Sequence, residues 1–557
     1  MIRTFRGILG VLTTQMSPIV ARAVLQTPMQ RLAIRSGHPT AAPRDKRRCS
    51  LVVIVAIAFG PAAIAAASAQ ETAIIDRNGP EFVVTDLTTG AQSTPAVAAI
   101  GDDDLIVTWY GQRSQDDSTS VVWTRRVTHS GPIGAEVRVS QVELVAAGSI
   151  FPAIATARGR PASIIAWTDE DANDGSFSGI FGRLMNANLD PLDDAFQVNN
   201  LVTDYHQTFS SAAMRSDGSF FLVWHDPGHI VELPRSNIRG RLFGSDGTPL
   251  GDEFLIAATA DGEPLGPRVV AYQEEFLVTF SALSPEASTG NESYDIYVRA
   301  YDIAGNGAVP FRVNSVIEGD QIFSDIAACA DGRFVIVWQS AAANDDPDVG
   351  IHAQWFDAAG QKAGEEFLVN TYTLGLQNRP TVAMTPDCRA VIAWQSSDQD
   401  GDQAGVYGRL VNADGRPASA EFRINTTTQG RQGLRSLREV AVAADSTSTF
   451  FAVWASDPLS NDAWDVVGQG FCWLANSATR VCGNVSCSGD DSGPESALSI
   501  TAGDAMITLK VAVGIGTCEP CRCDADSSGS ATASDALRIL RAAVSLPVQL
   551  DCPPCSS

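Results

Sequence analysis

The densest run of ligand chemistry in the sequence is DADSSGSATASD at 524–535. Asp524, Asp526, Ser528, Ser530, Thr532 and Asp535 stand at loop positions one, three, five, seven, nine and twelve, with Gly529 at six. Calcium takes roughly six to eight oxygen ligands, and a loop that alternates oxygens around a sharp Gly turn supplies them. Calcium is therefore the expected cofactor. A second acidic run, Asp398, Asp400 and Asp402 within QSSDQDGDQA (395–404), has the spacing to hold a cation or to orient sugar hydroxyls. These three residues are the expected ligand-binding face. His225 and His229 in HDPGH offer two imidazoles for a metal, but sequence supplies no third partner. No GxSxG elbow, HExxH, phosphate-binding loop or dinucleotide fingerprint occurs, so no catalytic residue can be named.

What must position these residues is a repeat. A β-rich phrase ending in an aromatic residue recurs as LIVTW (Trp109), SIIAW (Trp167), FFLVW (Trp224), FLVTF (Phe280), FVIVW (Trp338), AVIAW (Trp394) and FFAVW (Trp454). The intervals are 58, 57, 56, 58, 56 and 60 residues. The units are built from four short β-type runs, as in PTVAM (380–384), AVIAW, GVYGRLV (405–411) and EFLVN (366–370), separated by turn residues such as Ser216, Asp217 and Gly218. Four strands per unit, with no helical periodicity between them, predict a seven-bladed β-propeller. The seventh unit lacks an EFxVN run and an orphan copy, EFVVT at 81–85, precedes the first. That strand is expected to complete the last blade, since open edges invite aggregation.

A column of Arg125, Arg183, Arg241, Arg299, Gln354, Arg409 and Gln469 lies six residues before the turn after the third run, and fourth runs begin with Glu136, Glu253, Glu366 and Glu421. Cross-strand Arg/Glu pairing is the expected use of both columns. The long loops between second and third strands, and those linking units, belong to one face, and short turns belong to the other. Binding is expected on the long-loop face.

Over about residues 80–475 the pattern FVVVWxS, acidic loop, GRxFDxxG and EFxVN resembles repeats of bacterial exported proteins. The loop at 524–535 and its helical continuation ALRILRAAVSL resemble a dockerin, as does a second, degraded copy at an offset of 31 (SITAGDAMITLKVAVGI, 499–515). The resemblance implies a small α-helical calcium module able to dock on a cohesin-type partner. Ala533 and Ser534, with Ala502 and Gly503 in the first copy, depart from the usual dockerin pairs at the positions that help to select a cohesin.

Export frames the whole. Basic residues 44–48, the apolar run Leu51 to Phe59 and the small-residue end at Ala67, Ser68 and Ala69 have the order of a cleavable secretory signal. The domain plan is thus 1–69 signal peptide, 70–475 propeller closed by strand 81–85, and 476–557 Cys-rich dockerin-like module. Cleavage leaves 30 basic and 63 acidic side chains, a formal charge of −33, which repels nucleic acid and anionic lipid. Neither nucleic-acid binding nor membrane insertion after cleavage is expected. Eight of the ten remaining cysteines lie between Cys472 and Cys555, the density of a disulfide framework in an oxidising compartment.

The expected protein is extracellular, on the cell surface or periplasmic. It is read as a noncatalytic binding or scaffold protein for an unidentified extracellular ligand, polysaccharide being one candidate. The alternative is a carbohydrate-active enzyme, a glycoside hydrolase or polysaccharide lyase, or a cohesin-docked component of a polysaccharide-degrading assembly.

Overall fold

The computed structural model describes residues 73–474 apart from 87–89, 113–118, 142–143, 146–150, 158, 161, 170–177, 203–205, 228–235, 259–261, 285–292, 342–349, 434–438, 446–447 and 460–463, together with 536–540. The segment 1–69 and the loop residues Asp524, Asp526, Ser528, Ser530, Thr532 and Asp535 lie outside the described residues. Of 476–557 only 536–540 is described, and it is helical. The rest of the described chain is strand and connection, so the protein is nearly all β.

The aromatic-ended phrases form the second strand of each unit. Phe220–Asp226 and Thr449–Asp457 are buried at every residue, because each is covered on both faces by a neighbouring sheet. Continuous apolar sequence, rather than alternation, is what such a strand requires. Trp109, Trp224, Trp338, Trp394 and Trp454 are completely buried, so these rings are packing between sheets and are not available to a ligand. Four of them still satisfy their indole N–H internally, donating to Gln92, Gln321, Gln377 and Gln432 at 2.9–3.2 Å.

Gln92–Gly101, Asp104–Gln112, Thr119–Thr128 and Gly131–Arg138 form an antiparallel meander, with Leu144–Val145 paired at its third strand. Four more four-stranded meanders begin at Ala153–Thr156, Thr208–Met214, Leu265–Tyr272 and Gln321–Ala328. A nine-stranded sheet holds the remainder, running from Gln377–Met384 to the N-terminal strand Ile74–Val83. The first strands touch one another in chain order, and Val440–Ala444 touches Gln92–Gly101 in turn. The arrangement is propeller-like.

Turn chemistry sets the short connections. At Ser216-Asp217-Gly218 the glycine adopts φ 88°, and an added Cβ would stand 2.8 Å from the Cβ of Ser245. Asp217 accepts the backbone N–H of Ser219 at 2.9 Å, locking the turn.

The Arg and Glu columns do not pair across strands as expected. Each arginine spans two units instead. Arg241 donates Nε to the carbonyl of Gly251 in its own unit (3.0 Å) and Nη1 to the carbonyl of Val198 in the preceding one (2.9 Å). Arg183 reaches Asp193 and Val139, Arg299 reaches Ala308 and Ile256, and Arg409 reaches Ser419 and Val369 in the same way. The shorter Gln354 makes the contact within its own unit, to the Gly364 carbonyl at 3.2 Å. The glutamates accept backbone N–H groups of the preceding unit: Glu421 from Thr371 (2.6 Å), Glu253 from Asn200 (2.7 Å), Glu366 from Ser315 (2.5 Å). Carbonyls and amides at the end of a fourth strand need partners, and a fork of donors or a carboxylate supplies them better than an ion pair at the rim would. The Asn of EFxVN completes the set: the side-chain oxygens of Asn199, Asn314, Asn370 and Asn425 accept the N–H groups of Ile180, Ile296, Ile351 and Val406.

The N-terminal strand enters this pattern. Ile74–Val83 pairs antiparallel with Asp465–Leu474, with Phe82 opposite Gly468 and Val83 opposite Val467. Glu81 accepts the N–H of Thr426 at 2.6 Å, and Arg125 donates to the carbonyl of Val84 at 2.8 Å. The contacts between the last unit and the first include a buried pair, His129 Nε2 to Asp445 at 3.0 Å. A disulfide joins Cys329 to Cys388, between the turns that follow the first strands of the fifth and sixth units, and Cys472 is disulfide-bonded as well.

Candidate ligand site at the channel mouth

Five of the seven first strands share one irregularity. Their ladders to the second strand slip between Ser93 and Ala96, Thr208 and Ser211, Leu265 and Arg268, Ile322 and Asp325, and Asn378 and Thr381. The bulged residues Thr94, Phe209, Gly266, Phe323 and Arg379 have φ between 52 and 64°, left-handed backbone that only the glycine adopts without strain. Holding a non-Gly residue there costs about 1–3 kcal/mol, and such residues gather where function requires a fixed geometry. Side chains across the seams help to hold them: Glu439 accepts the N–H of Thr94 (3.1 Å) and Gln339 that of Arg379 (3.3 Å).

Two residues beyond the bulge, the register aligns one position in all seven units, namely Ala96, Ala153, Ser211, Arg268, Asp325, Thr381 and Ala441. All seven line a cavity of about 360 Å³ enclosed by the first strands. Ser211, Arg268, Asp325 and Thr381 make a continuous polar arc, and Ala441, Ala96 and Ala153 make a continuous apolar one. Asp325 takes Arg268 Nε at 3.3 Å and the N–H of Val382 at 3.0 Å. Deeper levels of the wall are apolar, including Ala98, Ala155, Ala213, Val270 and Ala327.

The bulge level above is divided similarly. Phe151 and Phe209 stack with centroids 4.5 Å apart, whereas Arg379 and Glu439 occupy the sixth and seventh units. Burial lowers the pKa of Arg379, and the charge of Glu439 opposes that shift. At the same end of the sheets, buried polar atoms lack partners among the described residues: both amide atoms of Gln395, Ser396 Oγ, Ser340 Oγ and Asn378 Oδ1.

Asp398, Asp400 and Asp402 lie in the loop between Ala390–Ser397 and Ala404–Val411, and do not converge on a common point. Gln377 pairs with Ser396, so this loop leaves at the end where the first strand begins, beside the mouth. Asp398 is exposed, Asp400 accepts Asn425 Nδ2 at 3.1 Å, and Asp402 accepts the N–H of Gly430 at 2.9 Å. Two of the three carboxylates thus anchor neighbouring loops. His229 lies outside the described residues, and His225 is committed elsewhere. Its Nε2 is 2.7 Å from Ser236 Oγ, whose only proton goes to the carbonyl of Pro264. His225 must therefore be the donor to that serine, and burial holds its pKa down to about 4. Among the described residues, Cys329, Asp331 and Cys388 come together with metal-like spacing, but both cysteines are spent in the disulfide.

Asp465 stands apart electrostatically. Burial, with the charge of Asp457 beside it, pushes its pKa up to about 6. Asp457 is paired with Arg431, whose guanidinium lies 4.8 Å from the ring centre of Trp464. The charged positions at the mouth escaped sequence reading. Their one signal there is that Arg268, Asp325, Arg379 and Glu439 break a column otherwise filled by small or aromatic residues.

No protein-family model matches the sequence, and no curated protein matches it. Among solved structures the chain is similar to a protein of unknown function from Dyadobacter fermentans, at 8% identity over 72% of this chain and 99% of that one, with a TM-score of 0.42. It is similar to the α-L-arabinofuranosidase Arb93A of Fusarium graminearum at 10% identity, covering 71% and 97% of the two chains (TM-score 0.39). Similarity to the GH43 endo-arabinanase of Bacillus licheniformis is at 13% identity over 50% of this chain and 99% of that one, with a TM-score of 0.29. These values fall below the level at which a shared activity follows.

Proposed function

We propose that the chain is an exported, carbohydrate-active propeller of seven blades that takes a sugar into the mouth of its central channel. The observation that carries this reading is the divided ring of the cavity wall, polar from Ser211 to Thr381 and apolar from Ala441 to Ala153. A sugar ring has the same division, hydroxyls at its edge and C–H groups on its faces. A cavity of about 360 Å³ suits a small ligand, since such sites run from about 300 to 1,000 Å³. The cyclic order of first-strand contacts supports closure, and the contacts of Glu81 and Val84 support the N-terminal strand as the last blade's outer strand. Calcium at Asp524, Asp526, Ser528, Ser530, Thr532 and Asp535, and docking of 476–557 on a cohesin-type partner, belong to the same proposal on sequence resemblance.

Calorimetric titration of residues 70–557 with a panel of polysaccharide fragments tests the reading. Saturable binding of at least one fragment is expected, weakened by Ser211→Leu or Thr381→Val. Absence of binding to every fragment overturns it. Hydrolysis is a second reading, favoured by Asp465, whose pKa burial and the neighbouring Asp457 charge push up to about 6, the direction that suits an acid catalyst. Reducing-sugar release lost in Asp465→Asn would support it; release unaffected by that change would sink it.

A further inference from the structure

Resting on that reading, we infer that the Arg268–Asp325 pair selects neutral sugars with adjacent hydroxyl groups and turns away acidic ones. Both residues line the cavity and remain partly accessible, with side-chain exposures of 24% and 16%. Each charge is already answered within the wall: Arg268 Nε lies 3.3 Å from Asp325, and Glu439 acts on Arg379 at the level above. A site with no uncompensated cation gives a carboxylate ligand nothing in exchange for its lost hydration.

Hydroxyl groups fit what is left over. A carboxylate has about four acceptor sites, and Asp325 uses one oxygen for Arg268 and the other for the N–H of Val382. Its remaining lone pairs accept two hydroxyls, while unused guanidinium N–H groups of Arg268 donate to the oxygens of the same pair. The Val382 contact comes from the neighbouring unit and holds the carboxylate still. Ser211 and Thr381 flank the pair on the same arc, and Ala96 and Ala153 offer the facing wall for C–H groups.

The deciding experiment compares wild-type 70–557 with Asp325→Asn against matched neutral and uronic-acid oligosaccharides, with melting temperature recorded for both proteins. Wild type is expected to bind the neutral series only. Asp325→Asn leaves the guanidinium uncompensated, so neutral ligand weakens by about tenfold or more and the uronate series becomes bound. A merely structural Asp325 would give a lowered melting temperature without that exchange of preference. Wild-type preference for uronates, or unchanged neutral binding by Asp325→Asn, overturns the inference while leaving the sugar-binding reading in place. Failure of wild type to bind either series removes the reading and the selectivity together. Should Asp325→Asn fail to fold, Arg268→Met provides the opposite test: loss of neutral binding with no gain of uronate is expected, and retained neutral affinity overturns the assignment.

Discussion

The outer seams and the channel mouth follow opposite rules. At the outer seams the same residues recur and reach partners in their own or the preceding unit: Arg241 to Val198, Glu253 to Asn200, Asn199 to Ile180. At the mouth equivalent positions carry different residues, backbone sits in left-handed geometry, and buried amide and hydroxyl groups lack partners among the described residues. A group that serves the scaffold is needed in every unit, whereas a single ligand needs each group once. Strain and unmet polarity are costs that the repeated seams offset elsewhere in the chain.

The comparison is broken most severely at an arginine. Arg241→Ala removes two inter-strand contacts and leaves the carbonyls of Val198 and Gly251 short of donors, so it should cost about 3 kcal/mol in urea denaturation. Arg241→Lys should recover only part, because one ammonium does not reproduce a planar fork. Loss below 1 kcal/mol would mean that the seam is not held by this column.

Asp445 tests the seam between the last unit and the first. Hydrogen bonds from His129 and Thr449, with the His129 charge, hold its carboxyl below the ordinary range against the opposing cost of burial. A depressed pKa contributes stability above the unfolded value, near 4, and loses it as pH falls through the folded value. Asp445→Asn should therefore destabilise by about 2 kcal/mol at pH 7, with the difference shrinking below pH 4 in thermal melts. A difference that is constant with pH would contradict the assignment.

At Asp465 the sign reverses. The pKa of Asp465 is raised to about 6, so its ionisation disfavours the folded state progressively from about pH 4 to 6. Asp465→Asn should leave stability unchanged at pH 4 and raise it by about 1 kcal/mol at pH 8, the value discounted for its partial exposure. Greater stability of wild type at pH 8 would show a partner for this carboxylate that outweighs its burial. The smallest effect is expected at exposed Asp398, where Asn should shift stability by no more than about 0.5 kcal/mol. A larger loss would place that loop among the structural seams.

Much of the scaffold is legible along the chain. Apolar phrases long enough to be covered on both faces, separated by Asp-Gly and Ser-Asp-Gly turns, give the β class and the four-strand units, because strand formation and turn geometry are decided by neighbours in sequence. The columns of Arg and Glu are legible too, yet their partners are not the cross-strand ones expected: a carbonyl at Val198 carries no side-chain signature, and its need for a donor arises only when a neighbouring unit packs against it. The candidate site was less legible still. Asp398, Asp400 and Asp402 stand out by composition, but two of them bind adjacent loops. Arg268 and Asp325 are 57 positions apart in sequence and 3.3 Å apart in space. Period, strand order and charge follow from local chemistry that each segment carries alone. The bulges, the divided cavity wall, the Cys329–Cys388 link and the altered acidity of Asp465 were decided only by tertiary structure, since each depends on which distant groups share a space from which water has been removed.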